Sequence, residues 1–433
     1  MASLNESALL SGSWRRCVAL LLSLSLLMMG STQASRKLQT AQPQLRLQAY
    51  GDNTDTPMHA PPAQSYLVSD GSWVDCVPIE GQIAAHHPSL KVHIIKLRPS
   101  VLPNIRSSLR AELHPQLFAR EYGGCPDGHI PVQRIDPNRP YMQKDRPPQA
   151  PEASPAAAGI HEYAITNMPN IPGAYIGTAA FLSVNDPYVA NTSEFSLSQF
   201  WVTAGSYTDK SLCTIEVGWQ KYPQRHKGDA DYAPHLFVFW TADAYQKLSC
   251  YDLQCPGFVH VDQSWVIGGA MPSYSTLKEL QNGITSEVAI RVLYDTNDRV
   301  WWLYLDDVPI GYWPASIFGS KYLQGTAAKV EWGGEVYIEK WNNTAHSKTA
   351  MGSGLFPTAG YPTSAYFRNI TYAYAKSGFT DLDANVTFLK GAMFRDDPNC
   401  YNIAVQQKNY SNWGSYFFFG GSGGSNPACK VKP

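Results

Sequence analysis

The chain after Gly159 is dominated by short segments in which hydrophobic and polar residues alternate. Each segment is rich in β-branched and aromatic residues, and turn-forming residues separate most of them. They are YIGTAAFLSV, LSQFWVTAGS, LCTIEVGWQKY, HLFVFWTAD, EVAIRVLYD, VWWLYLDDVPIGYW, AAKVEWGGEVYI and YFRNITYAYA. No long window repeats its hydrophobic residues with the helical period. The pattern predicts an all-β domain over residues 159–433, an antiparallel sandwich or barrel.

The N-terminus has the pattern of an export signal. Arg15 and Arg16 precede the apolar run VALLLSLSLLMM at residues 18–29, and small residues follow around Ala34. The run is shorter than the roughly 20 residues that span a bilayer, although a retained membrane anchor is the alternative. We predict a signal peptide over residues 1–34. The mature chain would then be secreted, to an extracellular (apoplastic) or vacuolar location, without a membrane association.

Two further segments separate the signal from the β domain. Residues 35–135 have mixed patterns, including a helix-compatible stretch at 106–124 that ends at Gly123 and Gly124. Residues 136–158 contain six prolines and predict an extended linker that is open to proteolysis. The sequence therefore predicts a small mixed α/β domain, a linker and an all-β domain.

Two strand-like segments carry a glutamate beside a glycine. Side chains two residues apart on a strand share a face, so Glu216 shares its face with Gly218. By the same rule Glu335 shares its face with Gly333. A glycine next to a carboxylate leaves room for a substrate backbone, which makes the two glutamates candidate catalytic residues. The alternative is a pair of solvent-facing glutamates beside glycines that provide twist.

Composition excludes several classes of function. Charged residues make up 16% of the 433-residue chain, aromatic residues make up 12%, and the formal net charge is -1. No basic surface is therefore expected for a nucleic acid or an anionic membrane. The sequence lacks the CxxC and HExxH motifs of metal sites, so we expect neither a metal nor another cofactor.

Seven cysteines remain once the signal has removed Cys17. In a secreted chain we expect them to form disulfides. Proximity along the sequence predicts the pairs Cys76–Cys125, Cys250–Cys255 and Cys400–Cys429, and it leaves Cys213 as a buried free thiol. Glycosylation sequons occur at Asn191, Asn342, Asn369, Asn385 and Asn409.

Other catalytic schemes have weaker support. There is no GxSxG elbow, and His161, His226, His235 and His260 have no recognisable serine or cysteine partner. We expect these histidines to have surface or core roles. Asp306 and Asp307 are adjacent, so on a strand they would face opposite sides and would not share a site.

Several motifs occur in the order found in one known family. SLSQFWVTAG, TIEVGWQ, LFVFWTADAYQ, SCYDLQCPGFV, WWLYLDDVPIGYWPASIF and EWGGEV resemble the neprosin family of plant secreted glutamic peptidases. WVDCVPIEGQIAAHHPSLKVHIIKLRPS and GCPDGHIPVQR resemble that family's activation peptide. The resemblance covers roughly residues 66 to 433.

The resemblance implies a sandwich of two antiparallel sheets. The order of a small cysteine-bearing unit, a linker and a β domain predicts that residues 35–135 are an inhibitory propeptide, and the linker prolines predict a self-processing zymogen if the enzyme cuts after proline. The resemblance also implies endopeptidase activity at acidic pH on proline-containing peptides, with cleavage after proline. The family's catalytic glutamates lie in its EaGWQ and WGGE strands, which here are Glu216 and Glu335. Val217 replaces the family's usual alanine, but it faces away from Glu216.

The residue chemistry agrees with this expectation. Two neighbouring carboxylates share one proton, so one can act as base and the other as acid at acidic pH. We therefore expect Glu216 and Glu335 to face one cleft within reach of a bridging water. Four residues are candidates for positioning the substrate, with packing roles as the alternative: Gln199, Gln220, Tyr312 and Trp332.

A second class of function fits the same strands. Exposed Trp and Tyr side chains on a β-sandwich stack on sugars, so a non-enzymatic extracellular or cell-wall carbohydrate-binding protein is the alternative. Such a protein would not need Glu216 and Glu335 on one surface. Their relative placement therefore separates the two hypotheses.

Overall fold

A computed structural model of the chain describes residues 44–50, 58–100, 114–134, 160–226, 233–338, 345–375, 393–405, 410 and 412–430. The signal peptide and the linker fall outside the described residues, as do the sequons at Asn342, Asn385 and Asn409. Residues 46–433 form one compact unit. Within the described residues, no helix has the length and apolar character needed to cross a membrane.

Two antiparallel sheets make up the β domain, which confirms the predicted fold class. The strands are β4 (Ile160–Asn167), β5 (Tyr175–Ser183), β6 (Phe195–Ala204), β7 (Cys213–Lys221), β8 (His235–Thr241), β9 (Ser249–Tyr251), β10 (Val259–His260), β11 (Glu287–Asp295), β12 (Val300–Leu305), β13 (Val308–Pro314), β14 (Lys329–Ile338), β15 (Ala365–Tyr374), β16 (Met393–Arg395), β17 (Asn402–Val405) and β18 (Phe417–Gly420). One sheet has the order β16-β4-β14-β6-β7-β8-β9. The other has the order β10-β13-β12-β11-β5-β15-β18-β17.

Tryptophans from the first sheet fill the space between the two sheets. The Nε1 atom of Trp219 donates to the carbonyl oxygen of Ser183 at 2.8 Å, and that of Trp332 donates to Oγ1 of Thr178 at 3.1 Å. Both acceptors lie on β5 of the second sheet. The face of β7 and β14 that carries Trp219 and Trp332 is therefore the inner face. Glu216 and Glu335 lie on the outer face.

The outer face of the first sheet is also buried. Every residue of β6 and β8 is buried, as are all residues of β7 except Lys221. Aromatic side chains from the strands and the following turns cover this face. The cluster comprises Phe195, Leu197, Leu212, Tyr222, Phe237, Phe239, Tyr245 and Tyr251, with Tyr207, Ala244 and Tyr337 packed against it. We call this group the aromatic cluster.

The N-terminal part is a small mixed unit, as predicted. It has a three-stranded antiparallel sheet of β1 (Gln64–Leu67), β2 (Trp73–Pro78) and β3 (His129–Gln133), with helix α1 (Leu117–Tyr122). Helix α1 ends at Gly123, whose φ of 78° is the left-handed conformation that favours glycine. The disulfide Cys76–Cys125 joins β2 to the loop after α1.

Short helices complete the architecture. Helix α2 (Leu277–Gln281) begins with a capping box in which Thr276 and Glu279 satisfy each other's backbone donors. The 3-10 helices are Ile79–Gly81, Ile83–His86, Pro88–Leu90, Ala315–Phe318, Pro357–Ala359 and Gly423–Ser425.

The N-terminal unit packs on the second sheet and on the loop after β10. The backbone N–H of Lys96 donates to the Tyr312 hydroxyl at 3.0 Å, and Nε2 of His93 lies 2.8 Å from the same oxygen. Ser100 Oγ donates to Asp295 at 2.7 Å. The Gln82 side chain accepts from the backbone N–H of His260 at 2.8 Å. Strands β10 and β13 and the end of β11 therefore hold this unit.

The structure contains the three predicted disulfides, Cys76–Cys125, Cys250–Cys255 and Cys400–Cys429. Cys213 is a buried free thiol, as predicted, and burial raises its pKa to about 12. The two described sequons differ in exposure. Asn191 is exposed, whereas Asn369 is only 8% exposed. Glycosylation remains a prediction, and Asn191 is the better placed of these two acceptors.

Candidate active site

The register of three neighbouring strands places the two glutamates on one face. In an antiparallel sheet, residues directly opposite one another point to the same side. Across β14, β6 and β7 the register forms three successive rows on the outer face. The rows are Glu331–Trp201–Glu216, Gly333–Gln199–Gly218 and Glu335–Leu197–Gln220. Glu216 and Glu335 thus lie diagonally across a middle row that has one side chain, that of Gln199.

Close packing of the strands requires both glycines in the middle row. A Cβ atom at Gly218 would lie 1.9 Å from the carbonyl oxygen of Ser198. One at Gly333 would lie 2.3 Å from the carbonyl oxygen of Ala164, and Gly333 has a φ of +154°. Larger residues cannot occupy these positions without moving the backbone. The glycines therefore keep side chains out of the space between the glutamates.

Glu335 is fully buried in a set of polar contacts. The Nδ1 atom of His161 lies 2.6 Å from Oε1 of Glu335, and Nε2 of Gln199 donates to Oε2 at 3.1 Å. The hydroxyl of Tyr163 donates to Oε1 at 3.5 Å. Strand β4 supplies His161 and Tyr163, because its register places Tyr163 opposite Glu335 and His161 opposite Tyr337.

Glu216 is fully buried among different donors. The hydroxyls of Thr214 and Tyr245 both donate to Oε1 of Glu216, the former at 2.9 Å. Thr214 lies two residues earlier on the same face of β7, and Tyr245 comes from the turn after β8. Burial, and then the charge of Glu216, raise the pKa of Tyr245 well above its ordinary value. Tyr245 therefore remains a hydroxyl donor at any pH at which the protein is folded.

A third carboxylate occupies the same face. Glu331 is buried in the row of Glu216, and Lys329 lies 2.7 Å from its Oε1. Burial raises the pKa of Glu331, the Lys329 charge opposes that shift, and the charge of Glu216 adds a smaller upward contribution.

Of the four predicted positioning residues, the structure brings two to this face. Gln199 contacts Glu335 directly. Gln220 shares the row of Glu335 and is fully buried, and within the described part of the chain neither its Oε1 nor its Nε2 atom has a hydrogen-bond partner. A buried amide without partners is costly, so Gln220 is suited to contact a ligand on this face.

The structure does not bring the other two to the site. Trp332 points to the inner face, where it packs between the sheets and bonds Thr178. Tyr312 belongs to β13 of the second sheet, where its hydroxyl contacts His93 and Lys96 of the N-terminal unit. Their roles in this structure are in packing and docking.

The sequence did not identify four residues that contact the glutamates: His161, Tyr163, Thr214 and Tyr245. His161 was expected in a surface or core role, whereas it lies against Glu335. Tyr163 and Tyr245 were not singled out at all. The sequence contained one indication of their role. His161 and Tyr163 are two residues apart on one strand, so their side chains share a face. Identifying their partner also required the pairing of β4 with β14, which joins residues more than 160 positions apart.

Both family profiles that match this chain carry the neprosin name. The Neprosin profile matches residues 192–422, more than half of the chain, and the Neprosin activation peptide profile matches residues 66–167. The chain therefore belongs to the neprosin family, with a two-sheet antiparallel sandwich preceded by an activation peptide. The second match extends to the end of β4, the strand that carries His161.

Solved structures with weak similarity also exist. Two are described as Scytalido-glutamic peptidase, one with a peptide based transition state analog and one with a transition state analog inhibitor. Each is 10% identical, and the alignment covers 60% of this chain and 97% of that chain, with a TM-score of 0.27. CG-16, a homodimeric agglutinin from chicken liver, is 10% identical over 41% of this chain and 90% of its own, with a TM-score of 0.18.

Proposed function

We propose that this chain is the precursor of a secreted glutamic endopeptidase that cleaves after proline at acidic pH. Glu216 and Glu335 form its acid–base pair, and no metal or other cofactor takes part. The observation that carries the proposal is the register that places both glutamates on one buried face, on opposite sides of a row cleared by Gly218 and Gly333. An extended peptide could lie over such a row with its backbone close to both carboxylates.

The chemistry needs only the two carboxyl groups and a water. The ionised glutamate accepts a proton from the water, and the protonated glutamate donates one to the carbonyl oxygen of the scissile bond. Since the pair acts with one proton, activity should be highest at acidic pH. That one water bridges the two carboxylates remains a prediction.

Two observations support the proposed proline specificity, the family membership and the aromatic side chains near the glutamates. The aromatic cluster surrounds the glutamate face with flat apolar rings, including the stacked pair Phe195 and Tyr337, whose centroids are 5.4 Å apart. Such rings form good contacts with an apolar residue of fixed conformation such as proline.

We further propose the organisation expected from the sequence. The signal peptide is residues 1–34, the inhibitory propeptide is 35–135, the linker is 136–158, and the peptidase is 159–433. Linker cleavage would separate the propeptide from the peptidase and expose the face that now carries Tyr312.

The buried tryptophans weigh against the carbohydrate-binding alternative. Seven tryptophans of the β domain and its loops are fully buried: Trp201, Trp219, Trp265, Trp301, Trp302, Trp313 and Trp332. Rings enclosed in this way cannot stack on a polysaccharide without rearrangement.

The proposal is tested by incubating the secreted, acid-treated chain with paired peptides that contain Pro or Ala at one position. We expect cleavage at acidic pH on the C-terminal side of the proline, little cleavage of the alanine peptide, and loss of activity at neutral pH. Addition of a metal chelator should leave the rate unchanged. Absence of cleavage at every pH, or equal cleavage of both peptides, would contradict the proposal or its proline preference respectively.

A further inference from the structure

Strand β4 brings a histidine directly to one of the two glutamates. His161 is the second residue of β4, and its Nδ1 atom lies 2.6 Å from Oε1 of Glu335. The side chain is 9% exposed, and the Glu335 side chain is inaccessible. A separation this short between buried polar groups is that of a strong hydrogen bond.

Aromatic rings on three sides fix the orientation of the imidazole. Tyr163 stacks on it with an interplanar angle of 13° and a centroid distance of 6.3 Å. Tyr337 lies 4.9 Å away, and Phe195 makes an edge contact at 5.9 Å. Packing of this kind restricts the ring, so its Nδ1 atom remains directed at Glu335.

We propose that His161 is a positioning residue that holds Glu335 in its ionised form, which makes Glu335 the general base and Glu216 the general acid. This assignment rests on the proposed function. An ionised carboxylate accepts hydrogen bonds and cannot donate them. Gln199 and the Tyr163 hydroxyl donate to Glu335, and Nδ1 of His161 lies 2.6 Å from its Oε1, where a protonated Nδ1 would be a third donor. Several donors directed at one carboxylate stabilise its charged form.

Glu216 has different neighbours. The hydroxyls of Thr214 and Tyr245 donate to its Oε1, whereas an imidazole lies against Glu335. The two glutamates are therefore distinguished by their surroundings, as the division into acid and base requires.

The groups that face His161 from neighbouring strands support this assignment. On β14 these groups are the Glu335 carboxyl and the Tyr337 phenol. On β4 the group is the Tyr163 phenol, and burial raises the pKa of this phenol well above its ordinary value. Beyond β16, Asp396 accepts the backbone N–H of Tyr163 at 2.8 Å. Of these groups, the Glu335 carboxyl lies within hydrogen-bond distance of the imidazole.

The assignment gives a balanced reaction. Water adds to the scissile carbonyl carbon as its proton passes to Glu335, and the carbonyl oxygen takes the proton of Glu216. The C–N bond then breaks, and the leaving nitrogen takes the proton held by Glu335. One hydroxyl proton of the collapsing diol returns to Glu216, so both glutamates regain their starting states.

The position of His161 also limits where the precursor can be cut. His161 follows the linker by only three residues, and the pairing of β4 with β14 holds it against Glu335. Cleavage on the C-terminal side of His161 would remove this residue from the peptidase. The active form must therefore begin at or before His161, although the activation peptide match continues to residue 167.

The test compares the full-length secreted chain and its His161→Leu, His161→Asn and Glu335→Gln variants after acid processing. We expect His161→Leu to lower kcat at least about tenfold with little change in KM. It should also raise the acidic pKa of the kcat/KM profile by about one unit, because the base loses its donor. His161→Asn keeps a donor near the Nδ1 position, so it should restore part of the loss in kcat.

The outcomes separate this inference from the proposed function. If His161→Leu leaves both kcat and the acidic pKa of the kcat/KM profile unchanged while Glu335→Gln is inactive, the role of His161 is overturned and the peptidase proposal remains intact. Wild-type turnover in Glu335→Gln would overturn both. If His161→Leu is not secreted, the His161→Asn variant is used instead. The pKa of the acidic limb of its kcat/KM profile must then be higher than that of the wild type, and an unchanged pKa contradicts the inference.

Discussion

Glu216 and Glu335 lie on the same face of one sheet, two strands apart, with Gln199 as the one side chain in the row between them. The arrangement depends on two glycines whose replacement would collide with the neighbouring backbone. A surface with solvent-facing glutamates would not need such clearance. The geometry therefore favours a site built around the carboxylates.

Tyr245→Phe tests the contacts of Glu216. The substitution removes the hydroxyl that donates to Oε1 but keeps the ring, which stacks on Phe239. A hydrogen bond to a charged or catalytic carboxyl contributes about 1.5–3 kcal/mol, so we expect kcat to fall roughly 10- to 100-fold. Steady-state kinetics at acidic pH provides the measurement.

Tyr294→Phe is the matched control for that variant. It also removes a buried hydroxyl bond, to the carbonyl oxygen of Gln324 at 3.2 Å, but on the second sheet. Its kcat should remain that of the wild type. Equal losses in the two variants would mean that Tyr245 acts through stability alone.

Gln220→Leu separates a ligand contact from a structural one. The amide of Gln220 has no hydrogen-bond partner among the residues that the structure describes, so replacing it with an apolar group of similar size should leave the free energy of unfolding unchanged or higher. If the amide binds substrate, kcat/KM should fall at least about tenfold. Denaturant unfolding and peptide kinetics on the same sample give both quantities.

Gln199→Leu provides the comparison, because it removes a donor to Glu335 and should lower both stability and activity. A Gln220→Leu variant that is markedly less stable would show that its amide has a structural partner. Full activity would remove Gln220 from the site.

Acid should weaken the docking of the propeptide through His93. Burial, and then the charge of Lys96, lower the pKa of His93 to about 4. Docking therefore favours the neutral ring, which lies against Tyr312. The docked state binds fewer protons than the separated state, whose His93 has a pKa near 6.5. Docking is thus strongest above pH 6.5 and weakens as the pH falls toward 4.

The measurement is retention of the N-terminal fragment on the peptidase after linker cleavage, by gel filtration from pH 7 to pH 4. We expect the fragment to dissociate within this range. In His93→Gln the pH dependence should be shallower, because one titrating group is lost. A curve identical to that of the wild type would exclude His93 as a contributor.

Processing of the linker should depend on the enzyme itself. Pro140, Pro148, Pro151 and Pro155 lie in the linker, whose proline-rich sequence predicts an extended substrate for a peptidase that cuts after proline. On acidification we expect new N-termini after these prolines in the wild-type precursor and none in Glu335→Gln. Equal processing of both precursors would indicate a contaminating protease, and wild-type cuts after other residues would contradict self-processing at proline.

Local patterns carried the prediction of the strands and of their two faces. Alternation in CTIEVGWQ predicted that Trp219 and Glu216 point to different faces of their strand. The Trp219 side chain does point to the inner face, where it bonds the second sheet. The same rule predicted that Trp332 and Glu335 point to different faces of β14, which conflicts with a role for Trp332 in positioning the substrate. The structure follows the rule, so parity was the better guide for this residue.

Other features depend on contacts between distant parts of the chain. The order of strands places β4 beside β14, and only this pairing joins His161 to Glu335. The sequence around Tyr312 indicates only an aromatic residue of a strand. Its contact with His93 could not be predicted locally, because the two residues are 219 positions apart. Full burial of Glu216 and Glu335 was also unexpected, because it results from turns such as that of Tyr245 folding over the strands.

The pair of glutamates is the central claim, and single Gln substitutions test it most directly. Gln keeps the size and hydrogen-bonding capacity of Glu but cannot exchange a proton. We measure cleavage of a proline-containing peptide at acidic pH by the wild type, Glu216→Gln and Glu335→Gln, with Glu331→Gln as the buried control on the same face. The account predicts that the first two variants lose nearly all turnover while their thermal unfolding changes little, and that Glu331→Gln remains active. Turnover near that of the wild type in either Glu216→Gln or Glu335→Gln would contradict it.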